Sequence, residues 1–341
     1  MAIQLSTITR VLAAPFLVTG SLAFADDAPT YVPGGRVLLD AHNCYPYDGK
    51  WPDRITRALA TGLPVAIEQD LVWYADPKTG ASRSIVSHGK PFSGEEPSLD
   101  DYFFGPVTPL LREAQTRGND GSWPIVTLNI DFKDSSPEHC KAVWETLKKY
   151  EDVTTTAVKT SAVTDISPLD IKPLLILSSG AGGQYDVFYD AVPIGGKLLV
   201  FGAAETGGSP PQGISGEERI KFAATVAPSE LVSKPADNFR RWWNNSWHAV
   251  EAGGAPRAGE WTAEDAARLE ALVDHAHALG YWIRFYTLNG HTPEESLGWD
   301  RGYNLGSRAS AEERWRAEIA AGVDFVATDM YESFASVKQS K

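Results

Sequence analysis

Residues 65–71 read VAIEQDL and residues 125–133 read IVTLNIDFK, and these two stretches decide the fold. Strand side chains alternate between faces, so residues two apart point the same way. Glu68 and Asp70 therefore share one face, while Val65, Ile67 and Leu71 share the opposite, apolar one. In the second stretch Val126, Leu128, Ile130 and Phe132 form the apolar face, and Thr127, Asn129, Asp131 and Lys133 the polar one. Both read as strands with a buried back and a charged front.

Working outward, residues 37–42 (VLLDAH) supply a strand ending in His42, and residues 173–178, 198–202, 238–243, 282–287 and 325–328 supply five more. Amphipathic stretches lie between them at 52–61, 109–116, 138–150, 263–279 and 311–321. The spacing predicts the clearest helix over 263–279, opened by Thr262 as N-cap and closed by Gly280. Eight strands with intervening helices predict an α/β fold, a (β/α)8 TIM-like barrel forming a single domain over residues 26–341. The alternative is a doubly wound open sheet, although no GxGxxG follows the first strand. In a barrel, function collects at the C-terminal ends of the strands. His42, Glu68, Asp70, Asp131 and Lys133 then share one rim, and His88 follows a turn-rich segment that predicts a small hairpin over the mouth.

Such a rim poses an electrostatic problem. Two carboxylates ~5 Å apart at an effective dielectric of ~20 repel by roughly 3 kcal/mol. Either one stays protonated or a cation lies between them. An all-oxygen set of Glu68, Asp70 and Asp131 selects one hard divalent ion, Mg²⁺ or Ca²⁺, over Zn²⁺. The competing reading pairs each carboxylate with a separate basic side chain.

The chain has 341 residues and a net charge of −13, which argues against nucleic acid and against adhesion to anionic lipid. Arg10 is the only charged residue among residues 1–25, and the apolar run of 11–24 ends in Ala23-Phe24-Ala25. That pattern predicts a secretory signal over 1–25, hence an exported, periplasmic or extracellular protein without stable membrane insertion. Export leaves two states open for the only cysteines, Cys44 and Cys140: a bridge on one rim, or two free thiols. Eleven tryptophans, with Trp242, Trp243 and Trp247 clustered beside Arg240 and Arg241, invite stacking on a ligand at the mouth as well as core packing.

Ala41-His42-Asn43, Glu68-Gln69-Asp70, Ser87-His88-Gly89 and Asp131-Phe132-Lys133 together resemble the phospholipase C-like phosphodiesterase superfamily. That superfamily includes glycerophosphodiester phosphodiesterases and spider-venom phospholipases D. Gly322-Val323-Asp324 and Ala327-Thr328-Asp329 are similar to its last strand. His42, Asn43, Tyr45, Trp73 and Pro109-Leu110 most resemble the branch typified by altered inheritance of mitochondria protein 6. The resemblance implies a TIM-like barrel that hydrolyses a phosphodiester, with a small-molecule or lipid diester as its partner. His42 and His88 are then the catalytic acid and base in either order, and Glu68, Asp70 and Asp131 hold the metal. Lys133 meets the phosphate. Asn43 stands where the glycerophosphodiester enzymes carry arginine, so Arg284 is read with Asn43 as a further phosphate contact. The nucleophile is water or a substrate hydroxyl. Two other classes stay open: a glycoside hydrolase barrel using paired carboxylates, and a silent barrel that only binds a phosphate-bearing ligand.

Overall fold

The alternation in residues 65–71 and 125–133 becomes two parallel strands in register, Val65 beside Val126 through Leu71 beside Phe132. The computed structural model describes residues 31–46, 51–118, 124–251, 259–286, 288–292, 295 and 304–340; the expected leader, residues 1–25, lies outside them. In chain order the strands are β1 (Leu38–Ala41), β2 (Val65–Ala75), β3 (Ser82–Val86), β4 (Val126–Phe132), β5 (Thr156–Val158), β6 (Leu169–Asp170), β7 (Leu174–Ser178), β8 (Lys197–Leu198), β9 (Phe201–Ala203), β10 (Arg240–Ser246), β11 (Trp282–Tyr286) and β12 (Phe325–Thr328). β1 pairs with both β2 and β12, and the ring runs β1-β12-β11-β10-β9-β7-β4-β2 and back to β1. Eight parallel strands therefore close a (β/α)8 barrel, and the open-sheet alternative falls.

The helices are α1 (Arg54–Ala60), α2 (Gly105–Arg117), α3 (Pro137–Leu147), α4 (Gly183–Tyr185), α5 (Gly216–Thr225), α6 (Pro228–Leu231), α7 (Ala263–Ala278), α8 (Arg308–Ala321) and α9 (Tyr331–Gln339). Helices or helical turns follow each barrel strand and cover the apolar backs of the strands, where Leu39, Val65, Ile67, Leu128, Ile130 and Val326 are buried. α7 starts as the sequence predicts: Thr262 and Asp265 form a reciprocal capping box, and Gly280 follows in the left-handed conformation at φ 82°. No helix among the described residues is long and apolar enough to cross a membrane.

Three details differ from the sequence reading. The expected strand over 198–202 divides: β8 joins β5 and β6 in a separate antiparallel sheet, and only β9 enters the barrel. Cys44 and Cys140 are both free and buried, and Cys140 lies inside α3 rather than on a rim. Trp242, Trp243 and Trp247 are all buried in the core rather than lining the mouth.

β2 is longer than its barrel neighbours. Past Leu71 it leaves the barrel and pairs antiparallel with β3, Leu71 opposite Val86 and Ala75 opposite Ser82. Asp76 builds the turn, its Oδ1 accepting from the Lys78 amide at 2.7 Å, while Gly80 takes φ 71°. This is the hairpin expected before His88.

The outer layer holds a buried carboxyl with no role at the barrel mouth. Glu318 in α8 is 0 % exposed, and neither carboxylate oxygen has a hydrogen-bond partner. Arg314, one turn earlier, is instead paired with Glu251 at 3.1 Å. Burial pushes the Glu318 carboxyl well above its usual value. A folded-state pKa above the unfolded one gives stability that is complete in acid and declines as pH rises past the unfolded value. Glu318→Met should therefore stabilise the protein by about 1–3 kcal/mol at neutral pH, with the gain smaller near pH ~4, where only the unsatisfied carboxyl and not its ionisation is relieved. Thermal melts across that range check it; an equal gain at both ends would sink the argument.

Candidate active site

β1 delivers His42 to the rim, its amide donating to the Thr328 carbonyl of β12 at 3.2 Å. The register of β2 against β4 sets Glu68 beside Asn129 and Asp70 beside Asp131. Ligand oxygens of Glu68, Asp70 and Asp131 all lie within 4.8 Å of one another, an arrangement able to hold a metal ion. Lys133 reaches back over them, its Nζ 2.7 Å from Asp131 Oδ2 and 3.0 Å from Asp70 Oδ2. His88 enters from the hairpin, its ring stacked 6.4 Å from that of Tyr45. The Ser87 amide, one residue earlier, donates to the Asp70 carbonyl at 3.0 Å.

A charged layer supports this group from below. Arg284 is 1 % exposed. Its Nε donates to Asp40, its Nη1 donates to Asn244 Oδ1 at 3.0 Å, and its Nη2 lies 3.3 Å from Glu68 Oε2. A second network holds His42. Asn43 adopts φ 51°, a left-handed conformation that asparagine tolerates, and this turns its amide to donate to Glu68 Oε2 at 3.0 Å. Its side-chain nitrogen lies 3.0 Å from His42 Nδ1 and donates to Asp329 at 3.1 Å. Arg54 donates to the Asn43 carbonyl at 2.6 Å and to Asp329 at 3.3 Å, and the Tyr331 hydroxyl donates to the His42 carbonyl at 2.7 Å.

These neighbours push the titrating groups apart. Burial, then repulsion from Glu68 and Asp131, drives the Asp70 carboxyl well above its usual value. Burial also acts to raise Glu68, but Arg284, His42 and the Asn43 amide outweigh it and hold Glu68 low. Asp40 shares the same guanidinium, and there burial wins and raises it. Burial acts to lower His42, yet Glu68 and Asp329 reverse the sign and raise it. His88 is lowered, by burial first and Lys133 second. Despite burial, His42, Arg54 and Asn43 keep Asp329 far below the ordinary carboxylate range.

No family model matches the chain, and no curated protein matches it. Among solved structures it is similar to a glycerophosphoryl diester phosphodiesterase from Parabacteroides distasonis, at 14 % identity over 93 % of this chain and 88 % of that one, TM-score 0.43. It is also similar to a calcium-dependent phosphoinositol-specific phospholipase C from a Gram-negative Pseudomonas species, at 14 % identity over 90 % and 92 %, TM-score 0.45. A third similar structure is wild-type HPPK-DHPS from Plasmodium falciparum, at 10 % identity over 90 % of this chain and 46 % of that one, TM-score 0.41.

All eight residues singled out in the sequence meet at this one end of the barrel, but two have different surroundings from those expected. Arg284 lies beneath the carboxylates with its guanidinium directed at Asp40, Asn244 and Glu68. Asn43 has its side chain turned onto His42 and Asp329, and Tyr45 donates to its Oδ1 at 2.6 Å. Asp40, Arg54 and Tyr331 escaped the sequence reading. Asp40 had a signal, since in LLDAH it alternates onto the face of His42. Arg54 had none, because its carboxylate partner is 275 residues away.

Proposed function

We propose that this chain is an exported, divalent-cation-dependent phosphoric diester hydrolase acting on a phospholipid-derived or glycerophospho-type diester. The observation that carries the reading is the crowding of three carboxylates between two histidines of opposite pKa shift. The residues fit a cation. Among the described residues, the five carboxyl groups of Asp40, Glu68, Asp70, Asp131 and Asp329 meet four basic side chains, Arg54, Lys133, Arg284 and His42, so acidic groups outnumber basic ones. Asp70 Oδ2 is buried and lacks a well-directed hydrogen bond, although Lys133 Nζ is near. Glu68, Asp70 and Asp131 would hold Mg²⁺ or Ca²⁺, both of which take oxygen ligands. When bound, the ion supplies Lewis-acid stabilisation of charge on the phosphoryl oxygens.

The chain's own residues do the rest. Lys133 adds positive charge beside the phosphoryl group. His88, lowered and so neutral near pH 7, accepts the proton of the attacking water or substrate hydroxyl. His42, whose pKa is raised where that of His88 is lowered, is the better proton donor of the two and gives its proton to the leaving alcohol. Arg284 fixes Glu68, and Asn43 with Asp329 fixes the His42 ring. A neighbouring cavity of about 800 Å³, lined by Ser179, Tyr185, Asp186, Glu205 and Asn244 among others, provides room for the rest of the substrate.

Purified protein should release alcohol or phosphomonoester from a panel of phosphodiesters, and chelator should abolish that release until Mg²⁺ or Ca²⁺ is restored. Release unaffected by chelator, or none from any diester, would overturn the proposal. One observation favours a second reading: Lys133 already bridges Asp70 and Asp131, as in a barrel that binds a phosphate ester without turning it over. Metal or phosphate binding with no turnover would select it. A glycosidase finds no support, because Glu68 and Asp70 crowd together on one strand instead of flanking a sugar.

A further inference from the structure

His139 stands outside the group described above, yet it ties together the segments that carry it. It is 0 % exposed in α3. Its Nδ1 is 2.7 Å from the Asp134 carbonyl, which can only accept, so Nδ1 carries the proton. Burial lowers the imidazole, keeping it neutral, and its Nε2 therefore accepts from the Ser84 hydroxyl at 2.8 Å. The ring stacks 5.4 Å from Trp73 and meets the edge of Phe132 at 5.1 Å. One side chain thus grips the overhang of β2 at Trp73, the end of β4 at Phe132, the loop after Lys133 at Asp134, and β3 at Ser84. A two-stranded ribbon has little stability by itself, so this hairpin depends on what docks it: Ile85 and Val86 are buried at its base, and His139 holds it at Ser84, nearer its tip. His88 lies four residues beyond Ser84, two past the end of β3.

We propose that His139 is a positioning residue: it clamps β3 against α3 through Ser84 and thereby places His88 over the carboxylates. The catalytic half of this inference rests on the phosphodiesterase reading; the clamp itself does not. The mild variant is Ser84→Ala, and His139→Ala is the stronger one. Amide hydrogen exchange in both should quicken by about 5-fold or more along Ser82–Val86, as loss of one net hydrogen bond implies, while the barrel strands hold. Unchanged exchange in both variants overturns the clamp, whatever the activity. In the kinetics kcat should fall by roughly 10–100-fold with KM nearly constant, since displacement of an acid–base group acts on the reacting geometry. In a His88→Ala background, His139→Ala should cause no further fall. A full additional loss there, or unaltered kcat in both single variants, overturns the positioning role. If wild-type protein shows no chelator-sensitive turnover, the phosphodiesterase reading fails instead, and exchange alone decides the clamp.

Discussion

His42→Ala should lower kcat/KM on a cleavable phosphodiester by about 10³-fold, inside the span that general acid–base catalysis supplies, while the protein stays folded. The fold survives because Asp329 keeps Arg54, Asn43 and Asn289 as partners when the imidazole goes. The pH dependence separates this loss from simple damage. His42 works protonated and its pKa is raised, so activity falls as pH climbs through a value above ~6.5. His88 works neutral and its pKa is lowered, so activity falls as pH drops through a value below ~6.5. Wild-type enzyme should therefore give a bell that straddles this point. His42→Ala should erase the alkaline limb and keep the acid one, and His88→Ala should do the reverse. A variant that loses activity with both limbs intact would show that His42 moves no proton in the rate-limiting step.

What could be read in advance follows from where the information lies along the chain. Glu68, Asp70, Asp131 and Lys133 were legible because period-two alternation is local, and in-register pairing of β2 with β4 then brings them level. Residues 198–201, LLVF, carry no alternation, and a continuous apolar run sets neither an end nor a register. That is why one expected strand divides between two sheets. The short turns of α4 and α6 fall below the length at which helical periodicity can be recognised.

The supporting contacts were hidden for a different reason. A buried arginine and an exposed one look alike in a sequence, and only closure of the barrel decides which carboxylate each meets. Arg284 alternates onto the inner face as its segment suggests, but its partner Asp40 is 244 residues away. Arg284, read as a phosphate contact, stands at the expected end of the barrel, and there it meets Asp40 and Glu68. The four-way grip of His139 likewise exists only once β2, β3, β4 and α3 have met.

Arg284→Met should destabilise the protein by about 3–5 kcal/mol at neutral pH, the usual result of leaving buried charges without their partner. Two carboxylates depend on this one guanidinium. Asp40 is 1 % exposed and Glu68 4 %, so neither can turn to water for compensation. Asn129 reaches Asp40 only at 3.4 Å, too long to replace a charged partner. The sign of the pH dependence identifies the mechanism. In wild type Glu68 is held below its unfolded value and stabilises the fold above that pH, a contribution lost as pH falls. Without Arg284 Asp40, already raised by burial, should climb further and Glu68 should rise above its unfolded value, so the variant loses stability more steeply as pH rises past ~4. The gap between wild type and variant must then widen from acid to neutral pH. Denaturant melts at both ends, run with chelator so that no bound cation replaces the lost charge, measure that gap. A second change, Asp40→Asn, should recover part of it. A gap that is equally large in acid would mean the arginine acts through packing of its stem, and the charged layer would not be what supports Glu68.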